Sequence, residues 1–584
     1  MAILTTLVSF NGVSGNVPYG NLMTDAAGDL FGTASLGGAY DFGTVFEVPY
    51  VNGAYATTPV ALASFNHTDG SSPEGTLIAD AAGNLLGTTL TGGATGVGTV
   101  FEIANTNGSY ASTPTTVVSF NATNGSVLQS GLVTDTNGDL FGTTLEGGTS
   151  NLGTVFEIVN NGTAAAPSYA NAPTTLLNFT GVNNGQGSFG NLITDARGDL
   201  FGTAGGGGTY NLGEAFELVN IGTVTAPVYS TTPIIMTSFN GTDGSRPAAG
   251  LIADSSGNLF GTTYTGGASN DGTVFELVNN GNYNYTLVTL ASFSGANGQN
   301  PAASLIEDAA GDFFGTTTAG GANNDGTVFE LVNNGGGSYT LNTLVNFNGA
   351  NGDAPASGLI ADAAGNLYGE TQLGGVNNLG TVFELSNSGF QVSSSPPSSG
   401  TTYTASQINA IYEAVLQRPA SPAEQNMWVA AETGGQLTEQ QVLSDIVTSA
   451  EANNFVYPII RLYQAAFGRV PDQAGLTGWV DTFESGAMTE AQIDQAFVNS
   501  PEFLANYGTT QVSTAFVGAL YHNVLGRTGS TTEISGWVNS GESAAQILQG
   551  FSDSTEFQND SRAAIIGFLE AAANGTESYH GPLL

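Results

Sequence analysis

Across the first 390 residues the apolar positions never fall at helical spacing. They come in short runs rich in Val, Ile, Leu, Phe and Thr, closed on each side by Gly, Asn, Asp and Pro. Short β-branched and aromatic runs between turn residues predict strands, and no helix. The runs also recur. The segment GTVFE or a variant places Phe at Phe46, Phe101, Phe156, Phe216, Phe275, Phe329 and Phe383, at intervals of 55, 55, 60, 59, 54 and 54 residues. Each copy holds four extended segments, termed A (as in GLIAD), B (NLFGTT), C (GTVFEL) and D (TLVSFN). The A–B connection, D-A-A-G-N in several copies, has the chemistry of a tight hairpin: Gly takes the positive φ, and Asp80 or its equivalents cap the turn.

Four antiparallel strands repeated seven times predict a seven-bladed β-propeller. The ends of the array support ring closure. A lone D-type segment, Thr5–Asn11, precedes the first A segment, Asn21–Asp25, while the seventh copy stops after its C segment, Thr381–Leu385. The N-terminal segment therefore supplies the missing outer strand of the last blade.

Beyond a Ser/Pro-rich stretch, residues 390–402, which reads as a linker, the texture becomes helical. Apolar residues fall at Ile408, Ile411, Tyr412, Val415 and Leu416, and Thr438 and Thr489 stand as helix starts. A second repeat appears as Tyr412–Arg418–Trp428, Tyr463–Arg469–Trp479 and Tyr521–Arg527–Trp537, each followed by S-x-E at Ser449/Glu451, Ser500/Glu502 and Ser554/Glu556. The simplest use of these residues is a small helical core in which each Arg pairs with its S-x-E glutamate. The expected architecture is thus an all-β seven-bladed propeller over residues 1–389, the linker, and a small all-α repeat domain over residues 403–584.

The motif L-I-x-D-x-x-G-N-L-[FY]-G-T-T-x-x-G-G-x-x-x-x-G-T-V-F-E-L, present over residues 5–390, resembles the bacterial tandem repeat called GloVer, described with a choice of C-terminal anchors. The fourth copy departs most, with Gly205–Gly208 and Gly213-Glu214-Ala215 in place of the usual residues. LYQAAFGRVPDQAGLTGW resembles the domain-of-unknown-function 4214 family, over about residues 403–560. The first and third copies lack its full P-D-x-x-G. The resemblances imply a secreted or surface-attached protein, with type I secretion and its C-terminal signal (here the tail Ala571–Leu584) as the expected route. They imply no defined activity.

Composition narrows the partners. Only 9 % of the 584 residues are charged, 48 of them acidic and 7 basic, for a net charge of −41. Such a surface repels phosphate backbones, so nucleic acid is excluded as an expected partner. There is no cysteine, and hence no disulfide, thiolate metal site or cysteine nucleophile. No apolar run is long enough to span a bilayer. Low charge, abundant Gly, Ser, Thr and Asn, and the absence of Lys and Cys suggest export, to the exterior or surface of a Gram-negative cell.

Catalytic chemistry has little to draw on. The three histidines, His67, His522 and His580, are scattered, and no nucleophile elbow, zincin or P-loop motif occurs. The A-segment aspartates (Asp25, Asp80, Asp135, Asp195, Asp254, Asp308, Asp362) and C-segment glutamates (Glu47, Glu102, Glu157, Glu217, Glu276, Glu330, Glu384) recur in every copy. An active site needs one asymmetric constellation, so sevenfold repetition points to structural use. No catalytic residue and no cofactor is expected. Binding fits better. The D–A and B–C loops emerge on one face and carry Asp69, Asn124, Asp243, Asn270, Asp271, Asn324, Asp325 and Asn351. These oxygens suit sugar hydroxyls or Ca²⁺, the latter at Asp243, Asp271 and Asp325. Turn chemistry alone accounts for the same residues. The expected function is structural or adhesive, in a surface layer, matrix or filament, through self-assembly or contact with another surface protein or polysaccharide. A carbohydrate-binding module is the alternative, and a glycan hydrolase or lyase the third reading.

Overall fold

A computed structural model describes residues 2–392 except 26, 81, 107, 136, 164–165, 182–183, 196, 223–226, 255–256 and 282, and residues 403–573 except 434–441, 444–445, 448, 450, 526, 555–556, 558–560, 562–564, 567 and 570–571. Most of the Ser/Pro-rich stretch, Thr438, Glu556, His580 and nearly all of the C-terminal tail lie outside the described residues. The chain divides into two compact units, Met1–Ser395 and Pro396–Leu584.

The first unit is a seven-bladed β-propeller. Each blade is an antiparallel sheet in the order A, B, C, D. The second blade, for instance, uses Ile78–Ala79, Leu85–Thr89, Thr99–Ile103 and Thr115–Ser119. In the last blade the outer strand is Ile3–Ser9, paired with Thr381–Ser386 from Ile3↔Ser386 to Ser9↔Thr381. Among the strands not read from the sequence, Asn16–Pro18 pairs with Leu30–Leu36 and adds a fifth member to the first sheet.

Two aromatic residues per repeat hold neighbouring blades together. The Phe ending each D strand packs edge-on against the C-strand Phe of the next blade, as in Phe65–Phe101 at 4.8 Å and Phe120–Phe156 at 4.8 Å. Phe10 closes the ring by meeting Phe46 at 4.9 Å, and both are fully buried. The glycine in L-F-G-T-T is required by this packing. A Cβ on Gly87 would sit 2.6 Å from the Phe101 ring, so the strand accepts the entropic cost of Gly to let the ring lie over it.

The A–B hairpins form as expected. Asp80 Oδ1 accepts the N–H groups of Ala82 and Asn84, both at 2.9 Å, while Gly83 adopts φ +80°. Asn84 Oδ1 in turn accepts the Asn105 N–H at 2.8 Å, tying the hairpin to the end of the C strand. The recurring aspartates are thus occupied by the blades themselves.

Polar bonds also cross between blades. The Thr of L-F-G-T donates to a backbone carbonyl of the next blade in five cases: Thr33 to Gly75, Thr88 to Ser130, Thr203 to Ala249, Thr262 to Ala303 and Thr316 to Ser357. A further clip lies five residues before each recurring A-strand Leu. Val17, Ser72, Val127, Gly187, Arg246, Asn300 and Ala354 all sit at positive φ, between 54° and 62°. Each N–H donates to a carbonyl of the preceding blade, as in Val127 to Val97 at 3.0 Å and Arg246 to Leu212 at 2.7 Å. Left-handed backbone at a β-branched residue stores about 1–3 kcal/mol of strain. Val127→Asn, placing there the residue type found at Asn300, is expected to stabilise the propeller by about 1 kcal/mol, read as a small rise in the thermal midpoint. A fall in the midpoint would show that Val packing outweighs the strain.

The second unit is helical and builds one core. Tyr412, Tyr463 and Tyr521 are buried within it, with Trp428, Trp479 and Trp537 packed against it. In every repeat the Arg guanidinium lies over the Tyr ring, at 5.1, 5.3 and 4.9 Å. Arg469 makes a two-pronged contact with Glu502 at 2.7 and 3.0 Å, and Arg418 does the same with Glu451. Arg527 pairs with Glu533. Thr489 caps the helix Glu490–Val498, its N–H held by Gln492 Oε1. The departures from P-D-x-x-G leave the turn intact. Asp472 caps the helix three residues after Arg469, and Ser421 and Ser530 serve at the same offset in the other copies. Among the described residues no helix is long and apolar enough to cross a membrane.

Candidate functional site at the axial mouth

The expected ligand residues lie on the D–A and B–C loops, and those loops use them. Asp69, Asn124, Asp243 and Asn351 each turn Oδ1 back onto the N–H of the residue three positions earlier, all at 2.9 Å. Asn270 adopts φ +63° and accepts the Gly266 N–H, and Asn324 adopts φ +67°. The carbonyls of Asp271 and Asp325 accept the inter-blade N–H groups of Asn300 and Ala354. Asp243, Asp271 and Asp325 do not converge: among the described residues no group of three or more His, Cys, Asp or Glu is arranged to hold a metal ion. His67 sits at φ +75° with its ring 5.2 Å from Phe42, and His522 lies in the separate helix Thr514–Leu525.

A different set of residues reaches the axis on this same face. Three positions before each recurring A-strand Leu, the seven blades carry Tyr19, Glu74, Gln129, Phe189, Ala248, Ala302 and Ala356. They line a cavity of about 240 Å³ at the centre of the ring. The flanks of this position repeat, whereas its chemistry changes from blade to blade. One side of the mouth is therefore built from large polar and aromatic groups, and the other, in blades five to seven, from methyl groups.

The large groups of the first three blades bond to one another. Gln129 Nε2 donates to Tyr19 Oη and to Glu74 Oε2, both at 3.0 Å. Burial pushes the Glu74 carboxyl up to about 7, because its charged form has lost water without gaining a cation; the Gln129 bond offsets a small part of this. Burial, with the nearby Glu74 charge, raises the Tyr19 phenol to about 12. Two residues further along the chain the blades join again: Gly358 N–H donates to Asn21 Oδ1 and Gly131 N–H to Asn191 Oδ1, both at 2.6 Å, and Asn191 Nδ2 reaches Thr76 Oγ1 at 3.3 Å. Arg246 and Tyr264 complete the lining, with the guanidinium 5.3 Å from the ring centre.

Sequence reasoning missed this set because each member is a single letter in a repeat column. The available signal was a position whose flanks recur while it reads Tyr, Glu, Gln, Phe, Ala, Ala, Ala.

The model of the Gloeobacter/Verrucomicrobia repeat matches residues 2–173 and 223–412. The chain belongs to this family. The gap in the Gloeobacter/Verrucomicrobia repeat match takes in most of the fourth blade, the copy with the most altered sequence. The domain of unknown function DUF4214 matches residues 453–506 and 494–561, the second and third helical repeats. No curated protein matches this member of the Gloeobacter/Verrucomicrobia repeat family. Among solved structures the chain is similar to a candidate 6-phosphogluconolactonase from Bacteroides uniformis, at 14 % identity and TM-score 0.41, covering 60 % of this chain and 88 % of that one. It is also similar to the PQQ-bound aldose sugar dehydrogenase of Streptomyces coelicolor, at 13 % identity and TM-score 0.34, covering 66 % and 98 %. A protein of unknown function from Dyadobacter fermentans is a third, at 9 % identity and TM-score 0.36, covering 65 % and 96 %.

Proposed function

We propose that this protein is an extracellular, non-catalytic adhesive protein whose propeller grips a sugar unit of a polysaccharide in the axial mouth, the helical unit serving display or assembly. One observation carries the reading: the position at which the seven repeats diverge faces the axis and forms a cavity of about 240 Å³ with hydrogen-bonding groups on Tyr19, Glu74, Gln129 and Asn191 and aromatic faces on Tyr19, Phe189 and Tyr264. Sugars are held by this combination of directed polar contacts and ring stacking. The repeated A-segment aspartates, by contrast, are engaged in turns. The lysine- and cysteine-free composition supports an exterior location.

A glycan array probed with the full chain is the test. Signal restricted to a class of sugar is expected, with affinity falling at least about tenfold in Gln129→Ala, which removes the bonds to Tyr19 and Glu74. No signal on any glycan, or an unchanged signal in the variant, would overturn the reading.

Self-assembly is a second reading, favoured by Val13, Tyr40 and Val376, which are 76, 61 and 89 % exposed in loops of the first and last blades. Electron microscopy in Ca²⁺ and in EDTA tests it. Ordered sheets or fibres would establish assembly, and their loss in EDTA would establish a calcium requirement. Discrete particles under both conditions would reject both.

A further inference from the structure

Arg246 differs from every other described arginine. Arg197, Arg418, Arg461, Arg469 and Arg527 are each ion-paired to an Asp or Glu, whereas Arg246 has no carboxylate within 4 Å among the described residues. It is the one charged residue at its repeat position, where the other blades carry Val17, Ser72, Val127, Gly187, Asn300 and Ala354. Its backbone is fixed at both ends. The N–H donates to Leu212 of the preceding blade, and the carbonyl accepts the Tyr264 N–H at 2.9 Å. The guanidinium then lies over the Tyr264 ring. Both residues stand on the fifth blade, beside Ala248, Ala302 and Ala356, so the open part of the cavity is on their side.

Resting on the carbohydrate reading above, we infer that the sugar is anionic, a uronic acid whose carboxylate is taken by the Arg246 fork while its ring occupies the space left by the three alanines. A planar guanidinium matches a carboxylate through two parallel N–H···O bonds. An arginine with no carboxylate partner among the described residues, held on an aromatic face at the rim of a cavity, is already oriented for that contact. The strongly negative net charge of the chain gives the arrangement a purpose, since an anion approaching this protein needs a local cation to be retained.

Titration calorimetry of the full chain with oligogalacturonate, the corresponding neutral galacto-oligosaccharide and dextran sulfate tests the inference. Oligogalacturonate is expected to bind at least about tenfold more tightly than the neutral sugar. Arg246→Gln should abolish that preference with the thermal midpoint unchanged, and Arg246→Lys, which keeps the charge but loses the fork, should restore only part of it. Equal affinity for acidic and neutral sugars in the wild type, unaltered by Arg246→Gln, would overturn the inference and leave the carbohydrate reading standing. Preference for dextran sulfate would overturn the assignment to a carboxylate. Failure of all three probes here, together with a blank glycan array, would overturn both.

Discussion

Deleting residues 1–11 is expected to abolish the cooperative unfolding of the propeller at room temperature and above. The segment carries the outer strand of the seventh blade and two buried anchors, Val8 and Phe10. Truncating a buried Phe costs about 3–5 kcal/mol, and each ladder hydrogen bond adds about 1 kcal/mol. The total is on the order of 8 kcal/mol, comparable to the whole stability of a typical domain. The loss is also topological: Thr381–Ser386 becomes an open edge, and Phe46 loses the ring that seats it. A synthetic peptide spanning residues 2–11 should restore the transition by strand addition. Calorimetric scanning of the truncated chain with and without peptide checks this, and a midpoint within a few degrees of the full chain would show that closure is not needed.

The second large effect is expected from pH. Five buried or half-buried carboxyls are raised by desolvation, Glu74 and Glu157 to about 7 and Glu214, Glu217 and Asp494 to about 8, and Glu370 is raised well above its usual range. In each, the folded state holds a proton that the unfolded chain has released above about pH 4.5. The contribution of the first five is therefore intact below about pH 4.5 and disappears as pH rises through about 7–8, while that of Glu370 falls throughout this range. Glu424 and Glu533, lowered to about 2 by arginine and serine partners, contribute in the opposite sense and lose their effect only as pH falls below about 4. Stability should peak near pH 5 and decline towards pH 8, the reverse of a protein held by paired carboxylates.

Glu370 should dominate this decline. Its side chain is fully buried with both oxygens unpartnered, at the position where five other blades place a Thr that donates to the next blade. It stands at the seam, with Oε1 against Gly32 of the first blade. Glu370→Thr is expected to raise stability at pH 8 by at least about 2 kcal/mol, the cost of an unpaired buried polar group, and by much less at pH 5. Glu370→Gln, which keeps the shape and cannot titrate, should flatten the pH profile. Chemical denaturation at both pH values reads this, and an equal effect of Glu370→Thr at pH 5 and pH 8 would exclude a buried titrating carboxyl as the cause.

The blades were legible in the sequence because their determinants are local: the Asp that caps a turn lies two to four residues from the groups it bonds, and Phe recurs at a fixed interval. The pairing of the N-terminal strand was legible too, since a surplus D segment at one end matches a deficit at the other. The Arg469–Glu502 contact followed from the recurrence of an Arg and a later S-x-E in each helical repeat. The axial mouth was not legible, because it depends on long-range convergence. Gln129 and Tyr19 are 110 residues apart and meet only because the ring closes. Of the loop residues read as candidate ligands, Asp69, Asn124, Asp243, Asn270 and Asn351 also turn an oxygen onto a backbone N–H of their own loop, the competing use that the sequence reading had set beside ligand binding. Glu214 was visible as part of the altered fourth copy, whereas Glu370 was passed over as one more letter in a repeat, and only burial gives either a consequence.

The seam also sets how the protein would bear tension. In six blades the chain leaves through the outer D strand, which has a neighbour on one side only. From the seventh it leaves through Thr381–Ser386, an interior strand flanked by Ile3–Ser9 on one side and Leu367–Thr371 on the other. A pull along this strand from Ser386 must slide it past two ladders at once, breaking their hydrogen bonds together rather than one after another. A molecule that grips at its axis and is tethered through residue 386 would therefore meet a mechanical load at its most resistant strand.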